Sequence, residues 1–376
     1  MKITAVDCHV LRAPLVNPFY YSQGYYPSRE AVLVELRTDQ DLSGWGQCSG
    51  AGAALPAIIR SQYAPRLLGR DPGEWQALWH TLGGLRGAHY GALSGLEMAL
   101  LDLAGKAAGR PIHRLLGGAL RDRVKVYATG LYRQERWDSF DAWREGLVAE
   151  ALGYQAEGFA LAKIKIGFVP RQDVALVRAV REAVGPQLDL AVDANCAWDA
   201  ATAIWVGREI EGQRITWYEE PLAPDDLEGY REVRRAVAIP VSGGEGLAGL
   251  HPFRELIATR AVDIVQPDII ICGGFGAMQR IQTLADAFHV RLIPHCWGTA
   301  LSLAASLHFL ATVPDSPPSI TPTEPLLEYD RSENPLREAL LTEPLRQRGG
   351  YLPVPQGPGL GVEIDPQALA RYRIGP

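Results

Sequence analysis

The chain has 376 residues, of which 47% are hydrophobic and 21% charged, and its formal net charge is −6. This length suggests a large barrel or two domains, and the composition is that of a globular protein with a sizeable core. A negative net charge argues against a general nucleic-acid or anionic-membrane binder, because such proteins carry basic patches. An anionic small-molecule substrate stays possible, since a local site can be positive inside a negative protein.

Five cysteines occur at scattered positions without any C-x-x-C pair, so neither a disulfide framework nor a zinc site is indicated. The first residues, MKITAVDCHVL, contain no basic stretch followed by an apolar one. No apolar run approaches the length of about 18 residues that a membrane-spanning helix needs. We therefore expect a cytoplasmic protein from a reducing compartment.

The first 120 or so residues predict an α+β domain. Residues 2–15 and 31–50 alternate like an antiparallel meander, and residues 94–118 have a helical pattern that stops at Gly117 and Gly118. The segment between the first two strands, 16–30, is rich in aromatic and turn residues and is expected to be a loop. The tail from about residue 340 again reads as strand and turn.

From about residue 124, short apolar runs alternate with helical patterns such as 170–185, 225–237 and 276–288. This alternation predicts a parallel sheet that closes into a TIM-type α/β barrel. A doubly wound open sheet is less favoured, because the chain has no glycine-rich dinucleotide turn. The predicted barrel strands are 124–130, 161–167, 188–195, 215–221, 239–246, 262–268 and 290–298.

The predicted barrel strands from the second to the seventh all end in an ionisable residue. Active sites of such barrels lie at the carboxyl ends of the strands, so this regularity predicts a site. Carboxylates from three consecutive strands repel one another unless a cation neutralises them, and oxygen ligands favour Mg²⁺ first and Mn²⁺ second. A solvated acidic rim is the less favoured alternative. The six residues are Lys165, Asp193, Glu219, Glu245, Asp268 and His295.

The run FALAKIKIG (159–167) reads as a buried strand with Lys163 and Lys165 on one face. A lysine beside a second cation and a metal ion has its neutral form favoured, so we expect the pKa of Lys165 to fall toward that of a general base. Asp268 would fix the tautomer of His295 and raise its basicity. The two bases would face opposite sides of an α-carbon while the metal stabilises the enediolate.

The catalytic-looking motifs are KIK (163–165), VDAN (192–195), YEEP (218–221), GGEG (243–246), VQPD (265–268) and PHCWG (294–298). With SGLEMALLDLAGKAAGRPIHRLLGG (94–118), they resemble the enolase superfamily in its mandelate racemase subgroup over nearly the whole chain. The resemblance implies a modified TIM-type (β/α)7β barrel at 124–340. It also implies an α+β capping domain formed by residues 1–123 and the tail 341–376.

The resemblance also implies site roles: metal ligands Asp193, Glu219 and Glu245, and acid/base residues Lys165 and His295, the latter oriented by Asp268. Lys163 would support Lys165 or contact the substrate carboxylate, and Asn195 would help to arrange the metal site. A glutamate on the last strand would stabilise the enediolate. TPTEPLLEYD (321–330) offers Glu324 and Glu328 for this role, and Glu328 is preferred for its LEYD context.

Within the subgroup, PHCWG and GPGLGVEID (357–365) most resemble acid-sugar enzymes, the lactone cycloisomerases and aldarate dehydratases. The expected reaction is removal of the α-proton of an acid-sugar carboxylate and loss of an oxygen from the β-carbon. A racemase or epimerase of a 2-hydroxy acid, and a barrel that binds sugars or partners without turnover, are the alternatives. The resemblance implies a homo-oligomer, often an octamer, without nucleic-acid or membrane partners.

Specificity is expected from the capping domain. The loop 16–30 and the stretch GQCSGAGAA (46–54) are placed to close the barrel mouth. Arg29 would meet the distal carboxylate of a diacid sugar, and further candidates for substrate contact are Tyr25, Trp297 and Glu324. A tyrosine-rich loop is also typical of an oligomer interface, so the role of this segment stays open.

Overall fold

The computed structural model describes residues 1–84, 87–317 and 319–375. One β-sheet forms near the N-terminus and a second one extends through most of the remaining sequence. The strands are β1 (Ile3–Tyr21), β2 (Gly24–Thr38), β3 (Ser43–Cys48), β4 (Arg123–Thr129), β5 (Arg133–Gln134), β6 (Leu161–Lys165), β7 (Asp189–Asp193), β8 (Ile215–Glu219), β9 (Val241–Gly243), β10 (Ile264–Val265), β11 (Arg291–Leu292), β12 (Leu326–Asp330) and β13 (Tyr351–Pro353).

The helices pack around both sheets, and a π-helical turn at Ile59–Tyr63 joins the first two of them. Short 3-10 turns lie at Pro72–Glu74 and Glu211–Gln213. The α-helices are α1 (Leu55–Ile58), α2 (Ala64–Leu67), α3 (Trp75–Gly83), α4 (Tyr90–Ala108), α5 (Ile112–Leu115), α6 (Phe140–Ala156), α7 (Pro170–Val184), α8 (Ala200–Ile210), α9 (Leu227–Ala236), α10 (Leu250–Ala258), α11 (Phe275–Ala287), α12 (Ala300–Ala311), α13 (Pro335–Glu338) and α14 (Pro366–Tyr372).

The N-terminal sheet has the order β3-β2-β1-β5 and is antiparallel. Strands β1 and β2 form one long hairpin with a turn at positions 22–23, so the prediction of a loop over 16–30 was wrong. Aromatic cross-strand pairs carry the ladder to the tip, as in Tyr20 and Tyr25, whose ring centroids lie 4.7 Å apart. The turn residues of this segment therefore mark only the tip of the hairpin.

Helix α4 crosses this sheet closely behind β3. A Cβ atom added at Gly46 would lie 1.9 Å from the carbonyl oxygen of Gly95, and one at Gly44 would lie 2.3 Å from that of Ala99. Only glycine permits this approach. Because side chains alternate along a strand, Gln47 points to the opposite face of β3, toward the barrel.

The second sheet runs β11-β10-β9-β8-β7-β6-β4-β12 with parallel neighbours, and helices α6 to α12 follow its strands in turn, which gives the (β/α)7β order. The register aligns the strand ends, since Lys165 pairs with Asp193 and Asp193 pairs with Glu219. The predicted regular placement of ionisable residues therefore becomes one row at the mouth of the barrel.

The ends of the parallel sheet and the tail complete the fold. Cys296, just after β11, donates its backbone N–H to the side chain of Glu328 on β12 at 2.8 Å. Strand β13 pairs antiparallel with β4, and further on Arg373 forms a bridge with Leu11 of β1. The tail thus contacts both sheets. None of the described helices is long and apolar enough to cross a bilayer.

Candidate active site

Three carboxylates meet at the mouth of the barrel. Asp193 and Glu219 end neighbouring strands, and Glu245 follows β9 by two residues. One oxygen of each lies within 4.8 Å of the other two. Oε2 of Glu245 is buried and has no hydrogen-bond partner among the described residues. Hard oxygen donors with one buried oxygen left unpaired fit a divalent cation.

Glu219 shows how crowded this cluster is. Its Oε2 accepts hydrogen bonds from Nε1 of Trp217 at 2.9 Å and from Nε2 of Gln266 at 2.7 Å. Burial raises the pKa of Glu219 to about 8, helped by the neighbouring Asp193 carboxylate and opposed by the Lys163 ammonium. A cation among these carboxylates would relieve their mutual repulsion.

Lys165 extends from β6 toward the same cluster. Its ammonium group forms an ion pair with Asp193 and donates to Oδ1 of Asn195 at 3.1 Å. Burial acts to lower the pKa of Lys165, but the Asp193 carboxylate outweighs it and the pKa lies above its usual value. The predicted decrease depends on a cation at the carboxylate cluster and stays a prediction.

Glu328 of β12 reaches the site, and Glu324 does not. Nζ of Lys163 lies 2.9 Å from Oε1 of Glu328, and Oγ1 of Thr129 donates to the same oxygen at 2.6 Å. Burial would raise the pKa of Glu328, yet the Lys163 and His295 cations hold it well below its usual value. Glu324 is exposed and accepts from the Tyr351 hydroxyl. The prediction of Glu324 as a substrate contact was therefore wrong, because it precedes the strand on the outer surface.

His295 follows β11 on the far side of the mouth from Lys165. Its Nδ1 lies 2.6 Å from Oδ2 of the buried Asp268, and its Nε2 lies 3.6 Å from Oε2 of Glu245. Because a carboxylate can only accept, Nδ1 carries the hydrogen and Nε2 is turned to the carboxylate cluster. Burial acts to lower the pKa of His295, but the surrounding carboxylates raise it well above its usual value.

A cavity of about 360 Å³ opens between the barrel mouth and the capping sheet. Of the predicted substrate contacts, Asn195, Trp297 and Arg29 line it. Tyr25 is 40% exposed and donates to Oε1 of Glu135 at 2.9 Å, outside the cavity lining. The prediction of Tyr25 was wrong by one residue, because alternation along β2 turns its neighbour inward.

Arg29 is buried between the two domains and is already engaged. Nη2 forms an ion pair with Asp330 and donates to Oγ of Ser332 at 2.7 Å, and Nε donates to the carbonyl oxygen of Glu333 at 3.1 Å. Its guanidinium carbon lies 3.8 Å from a ring centroid of Trp297. Contact with a second substrate carboxylate stays a prediction, and this carboxylate would compete with Asp330.

Comparison with known proteins identifies the family to which the chain belongs. Residues 3–117 match the family described as Mandelate racemase / muconate lactonizing enzyme, N-terminal domain, and residues 146–368 match that described as Enolase C-terminal domain-like. The chain belongs to the mandelate racemase and muconate lactonizing enzyme family of the enolase superfamily. It is therefore an enzyme of this superfamily with the predicted fold.

Members of the family resemble the chain over its full length. It is 40% identical over 380 residues to the D-galactarolactone cycloisomerase of Agrobacterium fabrum, covering 100% of this chain and 99% of that protein. It is 32% identical to the arabinonate dehydratase of Saccharolobus solfataricus, covering 92% and 91%. The crystal structure of the 3,6-anhydro-D-galactonate cycloisomerase from Zobellia galactanivorans superposes with a TM-score of 0.89 at 33% identity, covering 100% of both chains.

Three residues that line the cavity were not named from the sequence as substrate contacts, although two of them lie in the segments 16–30 and 46–54 that were expected to close the mouth. Tyr26 packs against Trp297 with ring centroids 4.8 Å apart, and Tyr132 lies under the Lys165 ammonium. Gln47 faces the cavity from β3. Strand alternation was a usable signal for Tyr26 and Gln47, whereas Tyr132 follows β4 in an irregular connection without such a signal.

Proposed function

We propose that the chain removes the α-proton of an acid-sugar carboxylate and then expels an oxygen from the β-carbon. The preferred reaction is the opening of an aldaric acid lactone, and dehydration of an acid sugar is the second form of the same chemistry. The convergence of Lys165 and of the His295–Asp268 pair on one cavity beside the carboxylate cluster carries this proposal. The full-length similarity to a D-galactarolactone cycloisomerase supports the lactone.

The three carboxylates, Asp193, Glu219 and Glu245, would hold Mg²⁺, with Mn²⁺ as a substitute. The unpaired Oε2 of Glu245 and the crowding at Glu219 support this fit. When bound, the ion would supply a positive charge that lowers the free energy of the enediolate formed from the substrate carboxylate.

Lys165 and His295 would carry the proton transfers. The base at one face takes the α-proton, and the electron pair of the broken C–H bond moves toward the carboxylate. Asp268 keeps the hydrogen of His295 on Nδ1, which leaves Nε2 as the atom that accepts or donates the proton. Lys163 forms a buried ion pair with Glu328 beside these groups, and its ammonium would stabilise negative charge at the substrate carboxylate while Glu328 holds it in place.

Collapse of the enediolate forms the double bond between the α- and β-carbons and breaks the bond from the β-carbon to oxygen. In a lactone whose ring oxygen sits on the β-carbon, the leaving group is a carboxylate and departs without a proton. In a dehydratase the leaving hydroxyl departs as water, so the acid form of the opposite residue must protonate it. A single site can thus support either reaction.

The test is proton NMR in D₂O with Mg²⁺ over D-galactarolactone, galactarate, D-galactonate, D-gluconate and simple 2-hydroxy acids. Loss of the β-oxygen with deuterium in the product is expected, and the starting material that reacts separates cycloisomerase from dehydratase. Exchange at the α-carbon without elimination would replace the proposal by a racemase or epimerase. Silence over the whole panel, repeated with Mn²⁺, would contradict the substrate class. Protein treated with a chelator is the control.

We further propose a homo-oligomeric, cytoplasmic enzyme of small-molecule metabolism. The relatives are enzymes of acid-sugar metabolism, and the superfamily resemblance favours an octamer. Sedimentation equilibrium of the purified chain checks the oligomeric state, and a monomer at micromolar concentration would contradict it.

A further inference from the structure

Gln47 occupies a special position between the two domains. It is only 4% exposed, lies on β3 of the capping sheet, and lines the cavity opposite the barrel mouth. Gly46 and Cys48 on either side face helix α4, so the strand itself aims the Gln47 side chain at the cavity.

The hydrogen bonds of Gln47 fix the orientation of its amide. Its Oε1 accepts from the backbone N–H of Thr299 at 2.9 Å and from Oγ1 of Thr299 at 2.7 Å. A backbone N–H can only donate, so the atom that faces Thr299 is the oxygen. The other end, Nε2, keeps two N–H donors for which the described residues provide no acceptor.

Thr299 also ties Gln47 to the catalytic side of the mouth. Its hydroxyl accepts from the backbone N–H of Leu301 at 3.2 Å. Thr299 thereby caps the start of helix α12, four residues after His295. Gly298 leaves room at this point, since a Cβ atom added there would lie 2.7 Å from Nε2 of Gln47. Nε2 therefore lies beside Gly298, three residues after His295 in the chain.

The charge around these donors indicates the kind of group that they would bind. The guanidinium of Arg29 is neutralised by Asp330, and Lys165 is paired with Asp193. Gln47 is uncharged and offers donors only. Each cationic side chain that lines the cavity already faces a carboxylate, so the described residues leave no unpaired positive charge there for a second substrate carboxylate. An amide N–H can bind an uncharged oxygen without such a charge.

We infer that Gln47 binds an uncharged oxygen of the substrate, a lactone carbonyl or a sugar hydroxyl, and thereby determines specificity. The inference rests on the proposed function and names one polar contact within it. Gln47 takes no part in the proton transfers. Its loss is expected to act on substrate binding and to leave the chemical step nearly unchanged.

Two substitutions separate recognition from structural support. Gln47→Glu keeps an oxygen for Thr299 but removes the donors, and Gln47→Met removes both without adding charge. With D-galactarolactone and Mg²⁺, each should raise KM about 10- to 100-fold, as expected for one lost hydrogen bond to a buried polar group. The kcat of Gln47→Glu should stay within about threefold of the wild type. The matched control is Gln134→Glu on β5, outside the cavity.

Two results would overturn the inference. If Gln47→Glu behaves like the wild type while Gln47→Met is impaired, Gln47 only supports Thr299. If Gln47→Glu raises KM but Gln47→Met does not, the effect is charge repulsion. Titration of D-galactarolactone into the Lys165→Met variant measures binding without turnover. Adding Gln47→Glu to this variant then shows directly whether binding of the lactone is lost. A wild type that neither turns over nor binds the panel would defeat the proposed function and this assignment together.

Discussion

Lys165 ends the second strand of the parallel sheet and His295 follows the seventh, on opposite sides of the cavity. Each is held by a carboxylate, Asp193 for the lysine and Asp268 for the histidine. Because these groups are already in place, they need not reorganise during the reaction. Such preorganisation is usually the largest contribution of an enzyme to the reaction rate. The proposed acid and base are therefore best tested one at a time.

We predict that Lys165→Met and His295→Asn each lower kcat by about 10²- to 10⁴-fold, the usual contribution of a general acid or base. The two variants should differ in D₂O, because only the one that keeps the abstracting base can still exchange the α-proton. NMR of the recovered substrate measures this exchange. Lys125→Met, at the other end of β4, is the control. Unchanged turnover in either variant would contradict the assignment of that residue.

The metal site is predicted to depend on Glu245 independently of turnover. Glu245→Gln removes one of three negative charges and the oxygen that is buried without a partner. The dissociation constant for Mn²⁺ should rise at least about tenfold, because the remaining ligands carry less charge. Electron paramagnetic resonance of free Mn²⁺ measures this directly. Glu97→Gln, a buried glutamate outside the cavity, should bind Mn²⁺ like the wild type.

Among the elements, the strand ends and the antiparallel pairing of the first strands could be predicted, and the continuation of the hairpin through 16–30 could not. Parallel strands are buried on both faces and therefore appear in the sequence as apolar runs. The register of the sheet then aligns the ionisable residues at their ends, as it does Asp193 with Glu219. This continuation of the hairpin was missed because cross-strand aromatic pairs outweigh the turn residues of 16–30. The ion pair between Arg29 and Asp330 joins residues 301 positions apart, which a local pattern does not reveal.

Helix α11 depends on a side chain from the other domain. Its N-cap residue, Gly274, has no side chain, and Glu97 of α4 accepts from the backbone N–H of Gly276 at 3.1 Å. A carboxyl oxygen at this place satisfies an N–H that the helix itself leaves unpaired. The loop between β10 and α11 contains Asp268, so this cap also supports the segment that orients His295.

Glu97→Ala is predicted to lower the free energy of unfolding by about 2 kcal/mol, the upper range for loss of a helix cap. Glu97→Gln should lose less, because its amide oxygen still accepts from Gly276. Urea denaturation measures both changes. Glu182→Ala on the exposed face of α7 should change stability by less than about 0.5 kcal/mol. Equal stability of Glu97→Ala and the wild type would rule out the cap.

At the scale of the whole molecule, a buried histidine pair joins distant parts of the chain. His308 of α12 donates from Nε2 to the carbonyl oxygen of Leu360 in the tail at 3.0 Å. Its Nδ1 lies 3.1 Å from Nδ1 of His113 on α5. Since the carbonyl can only accept, neutral His308 has a bare Nδ1, which accepts from His113. Leu360 in turn donates to Asp102 of α4 at 2.8 Å.

This arrangement predicts a loss of stability in acid. Burial lowers the pKa of His308 to about 4, and the neighbouring His113 acts in the same direction. In the unfolded chain this histidine has a pKa near 6.5, so between about pH 6.5 and 4 it binds a proton that it does not bind in the folded chain. The contribution of His308 is therefore complete above about pH 6.5 and is lost as the pH falls toward 4, by up to about 3 kcal/mol.

His308→Gln should remove this part of the pH dependence, because a glutamine can donate to Leu360 but cannot be protonated. Urea denaturation at several pH values from 7 to 5 measures the slope, which should be shallower in the variant than in the wild type. His251→Gln replaces an exposed histidine and should leave the slope unchanged. Identical slopes for His308→Gln and the wild type would show that the pair is already protonated, or accommodates a proton, in the folded protein. In that case, the acid sensitivity of the junction between α12, α5 and the tail would have to come from other groups.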